Sequence, residues 1–306
     1  MQNVGTLRGR SLLTLDDVSD VEIRQLLDLA GRLKAKKRAG RCGRLLRQKN
    51  IALIFEKSST RTRCAFTVAA VDEGAHAEFL DLDDIHLGRK ESLADTARVL
   101  GRMFDAIAFR GYAHGTVELL ARHAGVPVWN ALTDEWHPTQ ALADLMTVRE
   151  CFGRLKGLKM VYLGDGHNNV ARTLMVGCAR MGMHCVICTP AALAPPASLQ
   201  TRAAALARQR GGSVAVSTAP AEAVKGAHVL YTDVWASMGE EAELQRRLRL
   251  LRPYQVTMAL VRQTGRLAAG RVIFLHCLPA LHDRHTDLTR KLGALEVTDE
   301  VFAAPF

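Results

Sequence analysis

The sequence predicts an α/β chain of two domains, each a parallel sheet flanked by helices. Short apolar, β-branched runs alternate with amphipathic helical stretches along almost all of the 306 residues. This alternation is typical of parallel sheets with helices on both faces. The length suits about two domains, and 48% hydrophobic with 24% charged residues is an ordinary globular composition. Ligand sites in such folds lie beyond the carboxyl ends of the strands.

The predicted elements divide the chain near residue 140. Strands are predicted at 51–55, 106–109, 126–129, 160–163, 185–189, 214–217, 229–232 and 273–276. Helices are predicted between them at 62–73, 93–103, 116–123, 169–181 and 199–209. A further helix over 141–149 is predicted to bridge two domains, which we place at residues 1–140 and 141–306.

Composition favours a small anionic ligand over nucleic acid. Lys and Arg number 41 against 31 Asp and Glu, and the formal net charge of +10 attracts anions. Aromatic residues are only 5%, and no basic run is interleaved with stacking residues. The densest basic run, 245–252, spaces its leucines at helical intervals and is interpreted as a solvated helix face. We therefore expect no nucleic-acid partner.

The cysteines and apolar runs predict a cytoplasmic protein. Seven scattered cysteines are an odd number, which argues against a disulfide framework. Cys185 and Cys188 have zinc or redox spacing, but they lie in a predicted strand without a second pair nearby, so core packing is expected. No secretory segment is predicted, and no apolar run has the ~20 residues of a membrane span. No membrane partner is expected.

A segment rich in hydroxyls and arginines follows the first predicted strand and opens a helix. It carries Ser59, Thr60, Arg61, Thr62 and Arg63. A helix N-terminus offers unpaired backbone N–H groups and the positive end of the helix dipole. Arginine adds bidentate, charge-assisted hydrogen bonds. The segment predicts a phosphate site, with an ordinary cap and surface arginines as the alternative.

Polar motifs also follow later strands. His137 and Gln140 flank the entrance of a helix, where both can donate to a polarised carbonyl oxygen, although a capping or packing histidine is the alternative. The segment 164–169 begins like a dinucleotide-binding turn, but Asn169 replaces the third glycine and no acid follows the next strand. NAD is therefore not expected, and Asn168 and Asn169 are placed near a carboxylate or amine.

Two more motifs end strands in the second half. Asp233 can accept from an ammonium group, and Ser237 with neighbouring amides can bind a carboxylate. Cys277 places a thiol at the edge of the site. Covalent catalysis by Cys277 is not expected, because it needs a paired base and His276 points the other way along a strand.

Together these motifs resemble the aspartate/ornithine transcarbamoylase family, and more closely its ornithine branch, from about Leu7 to Phe302. They are Ser59-Thr-Arg-Thr62, His86-Leu-Gly-Arg-Lys-Glu-Ser92, Arg110-Gly-Tyr112, His137-Pro-Thr-Gln140, Asp233-Val-Trp-Ala-Ser-Met-Gly-Glu240 and His276-Cys-Leu-Pro279. The Ser-Met-Gly and His-Cys-Leu-Pro segments separate the ornithine branch from the aspartate branch. The resemblance implies a carbamoyl-phosphate domain followed by an ornithine domain, in a homotrimer with sites between subunits.

The resemblance also implies which residues bind each substrate. Carbamoyl phosphate is expected at Ser59, Thr60, Arg61, Thr62, Arg110, His137 and Gln140, with His86 reaching in from a neighbouring subunit. Ornithine is expected at Asn169, Asp233, Ser237 and Met238, with Cys277 and Leu278 closing the site. No metal or organic cofactor is implied.

The implied reaction is attack of the neutral δ-amine of L-ornithine on the carbonyl carbon of carbamoyl phosphate, giving L-citrulline and phosphate. Arg61, Arg110 and His137 are expected to stabilise the oxyanion and the departing phosphate. Asp233 and Cys277 are expected to orient the amine. Two alternatives stay open: a carbamoyltransferase for another amine such as putrescine or a modified ornithine, and a non-catalytic binding or regulatory member.

One departure from the family pattern concerns the end of the sequence. The family continues beyond the segment seen here at 296–302 into a last helix, which brings an arginine to carbamoyl phosphate, whereas this sequence ends at Phe306. From this departure we expect weaker carbamoyl-phosphate binding and an exposed apolar groove on the first domain. A normal Michaelis constant for carbamoyl phosphate would contradict that expectation.

Overall fold

Two parallel sheets organise the structure, one in each half of the chain. The computed structural model describes residues 7–41, 43–81, 85, 90–235 and 241–306, of which 241–244 are described by their backbone alone. The chain divides into two units, the first ending at Met146 and the second beginning at Thr147. Helices accompany each sheet, so the predicted α/β fold class is confirmed.

The first unit contains a parallel sheet of four strands among its described residues. Its strands are β1 (Asn50–Phe55), β2 (His76–Asp81), β3 (Ala106–Arg110) and β4 (Val128–Leu132), in the order β2-β1-β3-β4. Its helices are α1 (Asp20–Arg38), α2 (Thr60–Asp72), α3 (Leu93–Met103) and α4 (His114–His123). The division between the units falls within α5 (Pro138–Phe152).

The second unit contains a parallel sheet of five strands among its described residues. Its strands are β5 (Lys159–Leu163), β6 (His184–Cys188), β7 (Ser213–Ser217), β8 (Val229–Thr232) and β9 (Ile273–His276), in the order β7-β6-β5-β8-β9. Its helices are α6 (Asn169–Arg180), α7 (Ala197–Gln209), α8 (Pro220–Ala223), α9 (Glu241–Leu251), α10 (Met258–Arg262), α11 (Asp287–Leu292) and α12 (Asp299–Phe302). No helix in the described ranges is both long and apolar enough to cross a bilayer.

The first sheet is buried on both faces, because alternate residues of each strand point to opposite sides. In β1, Ile51, Leu53 and Phe55 pack in the core that includes α2. Ala52 and Ile54 pack in the core that includes α3 and α4. Packing on both faces therefore fixes the ends of the strands, and with them the positions of the side chains that follow.

Cys185 and Cys188 are buried free thiols in β6. Burial raises the pKa of the Cys188 thiol to about 12. A thiol with such a pKa stays protonated and is a poor nucleophile. The core-packing interpretation of this pair is confirmed.

The pattern analysis gave no prediction for β2, for α1 or for the four short helices α8, α10, α11 and α12. β2 is an edge strand whose residues are at most half-buried, so the polar residues Glu78 and Asp81 interrupt its apolar pattern. α1 begins with a capping box, in which Ser19 accepts from the Glu22 N–H and Glu22 accepts from the Ser19 N–H. That signal stands in the sequence as Ser-x-x-Glu, so α1 was predictable from it.

Gly101 allows α3 to approach the end of α4 closely. A Cβ atom at this position would lie 1.7 Å from the Ala124 carbonyl oxygen. Gly101→Ala is therefore expected to lower the free energy of unfolding by about 1–3 kcal/mol, measured by denaturant titration. Gly115→Ala in α4 is the control, since a Cβ there meets nothing within 4 Å, and it is expected to raise stability by about 0.5–1 kcal/mol. If both variants changed the free energy of unfolding in the same direction, the close packing at Gly101 would be contradicted.

Candidate active site

The first unit gathers polar side chains beyond β1 and β3, which are neighbours in its sheet. The register pairs Phe55, at the end of β1, with Arg110, at the end of β3. The backbone N–H of Glu56 donates to the Arg110 carbonyl at 2.8 Å, and its carboxylate accepts from the Tyr112 N–H at 3.0 Å. The sheet thereby fixes Arg110 beside the loop that leads into α2.

That loop ends in a capped helix N-terminus. Ser59 is the N-cap of α2, and its hydroxyl accepts from the Thr62 N–H at 3.2 Å. In the described part of the chain, the backbone N–H groups of Thr60 and Arg61 have no acceptor. Together with the positive end of the helix dipole, these groups offer the donors that a bound anion requires.

Two guanidinium groups border this N-terminus. Arg110 is half-buried, and its Nη1 donates to Thr62 Oγ1 at 3.3 Å. Arg61 is exposed at the second position of α2. Arg63 instead lies over the Phe79 ring, with its guanidinium carbon 3.6 Å from the ring centroid. Arg61 and Arg110 are therefore the arginines placed to meet a bound anion.

His137 directly precedes α5 and is buried. Burial, and secondarily the positive charge of Arg110, lower the pKa of His137 from 6.5 to about 3. The imidazole is therefore neutral at physiological pH and can donate a hydrogen bond to a carbonyl oxygen. Gln140, in the first turn of α5, donates from Nε2 to Asp144 Oδ1 at 2.9 Å, which orients its amide.

The lowered pKa of His137 predicts a dependence of stability on pH. The unfolded chain binds a proton at His137 below about 6.5 and the folded chain does not, so the stability contribution is complete above 6.5 and is lost as the pH falls toward 3. Between pH 7 and 5.5 the parent is expected to lose about 1 kcal/mol more unfolding free energy than His137→Gln. Denaturant titrations at both pH values measure the difference. Parallel losses in the two proteins would contradict the neutral buried imidazole.

The second unit brings three strand ends together. β5, β8 and β9 are consecutive in its sheet and lead toward Asn168, Asp233 and Cys277 respectively. Asn168 Nδ2 donates to Asp233 Oδ2 at 2.8 Å. The Cys277 thiol and the Val234 N–H donate to Asp233 Oδ1 at 2.8 and 2.7 Å. Asp233 is thus a buried carboxylate held by three donors and suited to accept from an amine or ammonium group.

The two adjacent asparagines take different positions. Asn168 is the N-cap of α6, and its Oδ1 accepts from the Val170 N–H at 2.7 Å. Asn169, the residue expected at ornithine, is the first residue of the helix and is half-buried. Because the cap uses the oxygen of the Asn168 side chain, its amide nitrogen can donate to Asp233. The sequence analysis did not distinguish this role of Asn168 from that of Asn169.

The turn after Cys277 is held by His276, whose side chain is almost fully buried. Leu278 has a left-handed φ of +59°, is 39% exposed, and precedes Pro279 in a cis peptide. Its N–H donates to His276 Nδ1 at 2.8 Å, so the ring proton lies on Nε2, which faces Glu296 Oε1 at 3.3 Å. Both ring nitrogens of His276 are therefore used in holding this turn.

Asp233, His276 and Cys277 also offer atoms of the kind that bind metal ions. One ligand atom from each lies within 4.8 Å of the others, so the expectation that His276 points away from Cys277 is wrong. Because the two His276 nitrogens are engaged with the Leu278 N–H and Glu296, the imidazole has no lone pair left for a metal in this arrangement. We therefore interpret these three residues as part of the structure around the turn after β9, and not as a metal site.

Three expected site residues, His86, Ser237 and Met238, lie outside the described residues. The run 245–252 was interpreted from the sequence as a solvated helix face, and most of it is one: Arg246, Arg249 and Arg252 are exposed, whereas Leu248 and Leu251 are buried. Arg247 is the exception. Arg247 on α9 donates from Nε to the Trp235 carbonyl at 2.7 Å and from Nη2 to Asp165 Oδ2 at 2.6 Å. Its carboxylate partner is 82 positions away in the chain, so no local pattern could have indicated the contact.

Family models match both halves of the chain. The model described as the carbamoyl-P binding domain of aspartate/ornithine carbamoyltransferase matches residues 10–150. The model described as the Asp/Orn binding domain of the same family matches residues 156–306. Each polar cluster therefore lies within a matched domain.

Individual proteins are similar over nearly the full length. A catabolic ornithine carbamoyltransferase from Bacillus licheniformis is 56% identical over 308 residues, covering 99% of this chain and 91% of that protein. An ornithine carbamoyltransferase from Caldanaerobacter subterraneus is 58% identical over 275 residues, covering 90% and 87%. The structure of ornithine carbamoyltransferase from Pyrococcus furiosus superimposes with a TM-score of 0.89 at 44% identity, covering 99% and 91%.

Proposed function

Because the chain belongs to the aspartate/ornithine carbamoyltransferase family, we propose that it transfers the carbamoyl group of carbamoyl phosphate to the δ-amine of L-ornithine, giving L-citrulline and inorganic phosphate. One observation carries the proposal: the first unit combines a helix N-terminus, whose Thr60 and Arg61 N–H groups have no acceptor among the described residues, with a neutral, buried histidine. A phosphate and a carbonyl are the two recognisable groups of carbamoyl phosphate. The Asp233 carboxylate in the second unit supplies an acceptor for an amine.

The phosphate binds at the start of α2. The free N–H groups of Thr60 and Arg61 donate to its oxygens, and the hydroxyls of Ser59, Thr60 and Thr62 add further donors. Arg61 closes over the anion with a charge-assisted hydrogen bond worth about 1.5–3 kcal/mol. Arg110, held against Thr62, supplies a second guanidinium.

The carbonyl oxygen of the carbamoyl group binds at the donors near α5. His137 donates as a neutral imidazole, so it polarises the carbonyl without transferring its own proton. Gln140 and Arg110 complete the donor set. These groups stabilise the negative charge that develops on the oxygen as the carbonyl carbon becomes tetrahedral.

The neutral δ-amine of ornithine forms the new bond. Its nitrogen attacks the carbonyl carbon, the carbon–oxygen bond to phosphate breaks, and the amine proton leaves with the phosphate. Asp233, with Cys277 hydrogen-bonded to it, orients the amine. The remaining ornithine contacts are assigned to Asn169, Ser237, Met238 and Leu278. This chemistry needs no metal or organic cofactor.

We place the enzyme in the cytoplasm as a homotrimer, with His86 contributing to a neighbouring site and with no nucleic-acid or membrane partner. Two observations support this placement. Every cysteine in the described residues is a free thiol, as is usual in a reducing compartment. Val68 and Val71 on α2 are 46% and 62% exposed, an apolar face suited to a subunit contact. Sedimentation equilibrium measures the oligomeric state.

A ureido-product assay tests the proposal. The purified protein is mixed with carbamoyl phosphate and, separately, with L-ornithine, putrescine and no acceptor. Citrulline formed with ornithine alone supports the proposed function. Product formed only with putrescine would assign another acceptor, and no product with either amine would favour a non-catalytic member.

A further inference from the structure

The turn that leads from β4 into α5 is organised by one buried hydroxyl, that of Thr133. Thr133 is completely buried, and its N–H donates to the Trp136 carbonyl at 2.9 Å. Its Oγ1 accepts from the Trp136 N–H at 3.3 Å and from Asn130 Nδ2 at 3.4 Å. His114 Nδ1 lies 3.1 Å from the same oxygen. This turn immediately precedes His137.

The direction of the hydroxyl proton follows from these contacts. A hydroxyl has two lone pairs and one proton. The N–H donors of Trp136 and Asn130 fill the lone pairs, so the proton goes to an acceptor. His114 Nδ1, at 3.1 Å, is closer than the Trp136 carbonyl, at 3.4 Å. We therefore assign His114 Nδ1 as the acceptor of the Thr133 hydroxyl proton.

Backbone hydrogen bonds tie the same turn to the segment after Arg110. The Gly111 N–H donates to the Leu132 carbonyl at 2.9 Å, and the Asp134 N–H donates to the Tyr112 carbonyl at 2.9 Å. His114 begins α4 at the end of this segment. The contact between Thr133 and His114 thus joins the backbone that carries Arg110 to the backbone that carries His137.

We propose that Thr133 and His114 are positioning residues, which set the orientation of the His137 imidazole relative to Arg110. This inference rests on the proposed carbamoyl transfer. Neither residue needs to touch substrate, because each acts through the turn. A donor displaced by about 1 Å can cost about a hundredfold in rate, so an intact turn should matter more for kcat than for substrate binding.

Two substitutions at Thr133 separate the effect of losing the hydroxyl from the effect of changing the side-chain volume. Thr133→Val keeps the shape but leaves Trp136, Asn130 and His114 without their shared partner. Its kcat for citrulline formation is expected to fall about tenfold to a hundredfold, with the KM for ornithine within about twofold of the parent. Thr133→Ser keeps the hydroxyl and is expected to stay within about threefold in kcat.

Thr264→Val is the matched structural control. Thr264 is also buried in a turn, where its hydroxyl donates to the Val261 carbonyl at 2.7 Å and accepts from the Arg266 N–H at 3.2 Å. It lies in the second unit, after α10. A similar fall in the melting temperature is expected, with kcat within about twofold of the parent.

A second pair of variants keeps the test decisive if Thr133→Val does not fold. His114→Asn retains an acceptor near the Nδ1 position and is expected to keep kcat within about threefold, whereas His114→Leu removes the acceptor and is expected to lose about tenfold or more. All assays are run well below each melting temperature. If the folded variants lose stability but keep kcat, the residues are structural only and the inference fails. A parent protein without citrulline production would instead overturn the proposed function.

Discussion

Arg61→Ala is expected to lower kcat/KM for carbamoyl phosphate by about a thousandfold, which corresponds to about 4 kcal/mol of transition-state stabilisation. Arg61 stands at the second position of α2, next to N–H groups that have no acceptor in the described chain. Arg61 is exposed, so its guanidinium is available to a phosphate. Removing it leaves the departing dianion with one guanidinium fewer as its charge develops. Steady-state citrulline formation at varied carbamoyl phosphate measures the loss.

Arg63→Ala is the matched control for Arg61→Ala. It removes the same charge from the same helix, but the Arg63 guanidinium lies over the Phe79 ring. Its kcat/KM is expected to stay within about fivefold of the parent. Equal losses in the two variants would show a general effect of positive charge on anion binding. If the kcat/KM of Arg61→Ala stayed within about threefold of the parent value, the proposed role of Arg61 in binding phosphate would be wrong.

Local patterns predicted the strands that bear the site because those strands are buried. β1 and β3 are continuous apolar runs, and the polar residues that follow them mark the strand ends. The register that places Phe55 beside Arg110 comes from pairing between distant segments, so local patterns do not contain it. The positions of the candidate motifs at the strand ends could be predicted from the sequence, but the distances between them could not.

The supporting contacts were inaccessible for a similar physical reason. The Thr133 hydroxyl meets His114, which lies 19 positions earlier, and an isolated threonine after a strand predicts only a turn. Glu296, which faces His276, carries no distinguishing pattern in its own segment. Such polar partners are selected by the geometry of the folded chain, which appears only when the strand order is known.

Asp233→Asn is expected to reduce kcat/KM for ornithine by about a thousandfold, mainly through a higher KM. The carboxylate accepts from Asn168 Nδ2, the Val234 N–H and the Cys277 thiol. An asparagine in the same place loses the negative charge and turns an N–H₂ group toward one of these donors, which leaves a buried donor without an acceptor. The amine of ornithine would then lose both its charged partner and a correctly oriented neighbour. The KM for carbamoyl phosphate should change by less than about threefold, because the phosphate donors belong to the first unit.

Asp105→Asn provides the control for this loss. Asp105 also accepts from a backbone N–H, that of Asn50 at 2.8 Å, and from Lys49 Nζ at 2.7 Å. It precedes β3, so it lies at the amino end of that strand, whereas the first-unit site lies beyond the carboxyl ends. The control should keep the ornithine KM of the parent, because it makes the same Asp-to-Asn change at a partly exposed position in the first unit, away from the Asp233 cluster. If Asp233→Asn also keeps that KM, the carboxylate holds the fold of the second unit rather than the amine, and the acceptor site must be sought elsewhere in that unit.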